Sequence, residues 1–120
     1  MASRATLFAD IDTMDPDRFA QHLLEDVTMR FGNAPAIHGR DACRQAWAGF
    51  CETVDAVAHE VVAQWDVEGA TVAETNVTYT RKDGRTVTIP VVTIYRPGGD
   101  ELIRDYRVFI DLAPVFAAEA

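Results

Sequence analysis

The second half of the chain most narrows what it can fold into. From Ala56 onward four β-rich runs follow one another: Ala56–Val67, Thr71–Arg81, Thr86–Arg96 and Leu102–Asp111. Each exceeds the roughly 5–6 residues of a common strand. The breaks between them are short: Glu68-Gly69, Lys82-Asp83-Gly84 and Pro97-Gly98-Gly99-Asp100. Asp83-Gly84 is hairpin chemistry, because both residues accept the left-handed backbone of a tight turn. Long strands joined this tightly lie beside one another as antiparallel neighbours, and strand twist curls the sheet they form.

The first half reads differently. Leu7, Phe8, Ile11 and Met14 make one stripe of a first helix, and Asp15-Pro16 supplies an N-cap with proline behind it. A short second helix follows, with Phe19, Ala20, Leu23 and Leu24 on its inner side. Val27–Phe31 alternates as a first strand, broken by Gly32-Asn33-Ala34-Pro35. Gly39-Arg40-Asp41 leads into the strongest helix, where Cys43, Trp47, Phe50 and Val54 point inward and Arg44, Gln45 and Glu52 face water. Leu112–Ala118 closes the sequence as a short helix.

Helices first and strands after is the α+β pattern, here one domain over residues 1–120. A curled antiparallel sheet with three helices on its concave face makes a cone with an apolar interior. Val87, Ile89 and Val91 lie on one face of their strand, Val92 and Ile94 on the other. The helices cover one face. A second copy of the chain is the economical cover for the other, which predicts a homodimer through the outer sheet face.

Charge and motif content exclude several classes. The chain carries 19 Asp plus Glu against 11 Lys plus Arg, a net charge of −8, with no basic stripe to meet nucleic acid. No apolar run approaches the roughly 20 residues of a membrane span. An acid appears at Asp10, too early for a secretory leader, so a cytoplasmic location is expected. On one helix Cys43 and Cys51 would stand about 12 Å apart, beyond disulfide reach. No metal-site spacing, glycine-rich phosphate loop or nucleophile elbow is present, so no metal and no cofactor are expected.

Several local motifs fall in a telling order: Glu25-Asp26, Asn33, Gly39-Arg40-Asp41-Ala42, Ala48-Gly49-Phe50, Gly84-Arg85, and Tyr106-Arg107 through Asp111-Leu112. With the order of elements, they resemble the NTF2-like superfamily, particularly its SnoaL-like, limonene-epoxide-hydrolase-like and ketosteroid-isomerase-like branches. The resemblance runs from about Leu7 to Phe116. It implies the cone fold and a small apolar ligand. The superfamily holds isomerases, polyketide cyclases, epoxide hydrolases, dehydratases and non-catalytic modules, so the site must decide among them.

Asp111 matches the aspartate of a terminal Arg-x-x-x-Asp-Leu segment that helps activate water in the epoxide-hydrolase-like branch. Arg107, Phe109 and Asp111 share one strand face, and a carboxylate desolvated in an apolar cone becomes a better base. The same residue would also cap a helix starting at Leu112. Asn33 matches a water-positioning asparagine and equally suits a turn. Where the branch carries Arg-x-Asp, this sequence has Asn76-Val77-Thr78, and Phe31 stands where a tyrosine or an isomerase's base is expected. Both named chemistries therefore lose parts. The expected catalytic cluster is Asp111, Asn33, Asn76 and Thr78. Phe31, Trp47, Phe50, Val54, Val92, Ile94, Arg107 and Phe109 are the expected ligand-binding walls. His38 is read as a loop residue, His22 as lying on a polar helix side, and His59 as facing opposite to Glu60. The predicted function is general acid–base chemistry (isomerisation, cyclisation, dehydration or hydrolysis) on a polyketide-, terpenoid- or steroid-like molecule. The alternative is a non-catalytic ligand-binding or dimerisation module.

Overall fold

The structure is a computed structural model and describes residues 6–117. Helix α1 spans Leu7–Asp12 and buries Leu7, Phe8 and Ile11. Met14 lies beyond the helix, at φ 61°, and still packs against the core. Asp15 then caps α2 (Pro16–Ala20), accepting the Asp17 N–H at 2.9 Å. Strand β1 covers Leu23–Phe31, so Leu23 and Leu24 belong to a strand and not to the expected helix. Leu23 and Leu24 stand four residues after Phe19 and Ala20, so they continue the apolar spacing of α2 past its end.

A two-residue strand β2 (Ile37–His38), absent from the sequence reading, pairs with β1. Helix α3 (Arg40–Cys51) turns Cys43 and Trp47 inward. Val54 lies beyond its end, buried at the start of β3 (Val54–Val67). Then come β4 (Ala70–Arg81), β5 (Thr86–Pro97), β6 (Ile103–Phe109) and a single turn α4 (Ala113–Phe116). Of the expected terminal helix, Ala118 lies outside the described residues.

The six strands form one curled sheet in the order β2-β1-β6-β5-β4-β3. All neighbours are antiparallel except β1 with β6, which run parallel. Thr71, Ala73, Thr75, Val77 and Tyr79 of β4 face inward and are buried, as are Ile89, Val91, Thr93 and Tyr95 of β5. The three helices of the first half cover this inner face, giving the mixed α+β cone expected. No helix among the described residues is long and apolar enough to cross a membrane.

Two glycines near the ends of α3 differ in kind. Gly39 precedes the helix at φ 97°, where a side chain is strained although a Cβ would meet only one atom, at 4.0 Å. Gly49 is an exposed helical residue with no such constraint, and a Cβ there would meet nothing within 4 Å. Gly39→Ala is expected to destabilise the fold by about 1–3 kcal/mol, and Gly49→Ala to stabilise it by about 0.5–1 kcal/mol. Urea unfolding of both variants checks the opposite signs.

Candidate functional site

Between the helices and the inner sheet face lies a cavity of about 230 Å³. Ile11, Phe19, Ala46, Trp47 and Phe50 form its helical wall. The strands contribute Met29, Phe31, Ile37, His59, Tyr79, Val91, Thr93, Tyr106 and Val108. The lining is mostly apolar, with its polar groups drawn from β3 to β6.

His59 is held from two sides. Because β3 is an edge strand, the His59 N–H is free to leave the ladder, and it donates to Asp12 Oδ2 at 2.8 Å. The other carboxylate oxygen lies 2.5 Å from the ring Nδ1. Phe8 stacks on the imidazole at 4.9 Å. An ionised carboxylate only accepts hydrogen bonds, so Nδ1 carries the proton and a neutral ring presents Nε2 as the basic nitrogen. Nε2 has no partner among the described residues. This is the geometry of a positioned general base in a mainly apolar chamber.

Two phenols complete the polar wall. Burial, and secondarily the charge of Asp12, pushes the Tyr79 hydroxyl well above the usual tyrosine range. Tyr106 is raised chiefly by burial, with Tyr95, Tyr79 and Asp12 adding to the effect, while a hydrogen bond to Thr93 opposes it. Both therefore stay protonated near neutral pH and can donate to a ligand oxygen. The Trp47 indole N–H is buried without an acceptor among the described residues, at a cost of about 1–3 kcal/mol.

The residues expected from sequence divide between the two faces of the sheet. Phe31, Trp47 and Phe50 line the cavity; Val54 is buried but does not. Asn76, Thr78, Val92, Ile94, Arg107 and Phe109 lie on the outer face. Asn76 reaches Glu60 at 3.4 Å, and the Thr78 and Thr88 hydroxyls meet at 2.8 Å. Val92 pairs with Phe109 and Ile94 with Arg107. Arg107 stands 5.4 Å from the Phe109 ring centre. Asp111 is exposed, and its Oδ1 accepts the Ala113 N–H at 3.0 Å, one residue ahead of Leu112, the N-cap of α4. Asn33 is exposed in the turn after β1. The expected cluster of Asp111, Asn33, Asn76 and Thr78 does not come together. Alternation paired the residues correctly within β6 but did not say which face was inside.

Asp12, His59, Tyr79 and Tyr106 were missed as a group. His59 had a signal, since Val57, His59 and Val61 place an imidazole within an apolar alternation. His22, read as lying on a polar helix side, is buried at the entry to β1 with Nε2 2.8 Å from Asp10 Oδ2. Among the described residues no group of three metal-ligating side chains converges.

The apolar chamber between the helices and the curled sheet is that of an NTF2-like cone. Residues 5–106 match the SnoaL-like domain, and the chain belongs to that family. No match is found among curated proteins. Of solved structures, a hypothetical protein with a ketosteroid isomerase-like fold from Catenulispora acidiphila, in complex with trimethylamine, superposes with a TM-score of 0.85 at 16% identity, covering 94% of this chain and 88% of that one. A protein provisionally named a SnoaL-like polyketide cyclase, from Jannaschia sp., gives 0.81 at 18% identity over 95% and 86%. An NTF2-like protein of unknown function from Exiguobacterium sp. gives 0.77 at 18% over 89% and 96%. At these identities the likeness shows the fold.

Helix α3 also carries both thiols, and burial pushes Cys43 and Cys51 each up to about 11 from 9.0. Folding thus favours the protonated thiols, so stability is expected to fall as pH rises from about 9 to 11, the unfolded chain releasing those protons first. At pH 8 the folded protein should react with a disulfide reagent about 100-fold more slowly than the unfolded chain. Absorbance assays with and without denaturant check this.

Proposed function

We propose that the chain is a cofactor-independent enzyme of SnoaL-like type, performing acid–base chemistry on a small, mostly apolar metabolite. The observation that carries this reading is the free Nε2 of His59, oriented by Asp12 in the cavity wall. In this reading Nε2 takes a proton from the substrate, next to a carbonyl or from a bound water, and returns it at a second position. Tyr79 and Tyr106 hold the substrate oxygen as neutral donors, and Asp12 stabilises the imidazolium that forms. Asp111, Asn33, Asn76 and Thr78 are left with structural roles. At about 230 Å³ the cavity lies below the roughly 300–1,000 Å³ of drug-sized ligand sites. One or two rings suit it better than a steroid nucleus.

A non-catalytic module is the second reading. The two hydrogen bonds between His59 and Asp12 support it, because the pair also ties α1 to β3 without any chemistry. Hydrogen–deuterium exchange at the carbon beside the carbonyl of small cyclic ketones, followed by proton NMR, separates the two. The enzyme reading expects accelerated exchange that drops by about 10²–10⁴-fold in His59→Ala and is unaltered in Asp111→Asn. Exchange no faster than in buffer, or undiminished in His59→Ala, favours the module.

We further propose a homodimer through the outer sheet face. Trp65 is 50% exposed and Phe109 49% exposed. Strand pairing joins Trp65 to Val72 and Val72 to Ile94, with Val92 beside Phe109, in one apolar band across four strands. Gel filtration with light scattering is expected to give a dimer that Trp65→Glu with Phe109→Glu converts to monomer. A monomeric parent protein would contradict this.

A further inference from the structure

We propose that the cavity selects a small organic cation, an alkylated ammonium group with a hydroxyl or similar polar end. This rests on the reading of the cavity as a ligand site and adds the charge of its occupant. Phe50 is the hub of an aromatic corner: its ring centre lies 5.4 Å from Trp47, 5.7 Å from Phe31 and 5.8 Å from Tyr79. Phe19 extends the rings to the far side, 6.2 Å from Trp47 and 5.5 Å from Tyr106. All six line the cavity. Aromatic faces carry negative potential and attract a cation within about 6 Å of the ring centre.

The charges around the cavity have the same sign. No Lys or Arg among the described residues lines it. The Asp12 carboxylate stands behind His59, and its field reaches both tyrosine hydroxyls, contributing to the upward push on each. The chain as a whole carries −8. An anionic ligand would be desolvated here with no fixed positive charge to meet it. A bare inorganic cation would lose its water without an oxygen cage to replace it. A tertiary or quaternary ammonium spreads its charge over an apolar hull, which suits rings and aliphatic side chains together. A hydroxyl on the same molecule can donate to His59 Nε2.

Choline and 3,3-dimethylbutan-1-ol test this, since they share one shape and differ by a charged nitrogen in place of carbon. Calorimetric titration of the full chain is expected to find choline bound about 5- to 30-fold more tightly. Phe31→Leu, which keeps an apolar but non-aromatic side chain in the wall, should narrow that ratio, with circular dichroism confirming the fold. Equal affinities would overturn the charge preference while leaving the ligand site standing. Absence of binding by both would also overturn it. Cyclohexanol then tells whether the cavity takes a neutral ring, and no binding there removes the ligand-site reading as well.

Discussion

One carboxylate answers two donors of a single residue, and much of the site depends on that arrangement. Asp12 accepts both the backbone N–H and the ring Nδ1 of His59. The backbone contact satisfies an edge-strand donor that has no neighbouring strand to meet. The ring contact fixes the tautomer, which leaves Nε2 without a proton in the neutral form. Together they draw the end of α1 onto β3 and close one side of the cone. Phe8, from the same helix, stacks on the imidazole and limits its rotation. Position, tautomer and packing of the ring thus come from one six-residue helix.

The two faces of the sheet are covered differently. Inward, buried β-branched and aromatic residues make a chamber whose polar groups are few and mostly neutral. Outward, Trp65, Val92, Ile94 and Phe109 form a surface with no cover from the chain's own helices. Val67, at 52% exposed, extends it along the edge strand. Burial of such a surface between two copies would stabilise the curl of the sheet and hence the shape of the chamber.

The order of helices and strands was legible because its signals are local. Asp15-Pro16 caps α2, Asp83-Gly84 turns β4 into β5, and the period of Cys43, Trp47 and Phe50 marks α3. Where β1 begins at i+4 spacing from the apolar residues of α2, as at Leu23 and Leu24, strand residues passed for helix. The site was less legible. Phe31, Trp47 and Phe50 were placed in the cavity wall by their position on β1 and α3. Asn76, Thr78, Arg107 and Phe109 were placed on the wrong face, because alternation fixes partners and not the side on which the helices settle. Asp12 and His59 are 47 residues apart, and no local pattern records their meeting.

The protonation pattern of His59, read from nitrogen-15 NMR of the imidazole at neutral to alkaline pH, is the most direct test of a base held by Asp12. A protonated Nδ1 and an unprotonated Nε2 are expected, with that preference weakened in Asp12→Asn. A neutral ring carrying its proton on Nε2 would contradict the proposed base and leave the Asp12 contact as a structural tie.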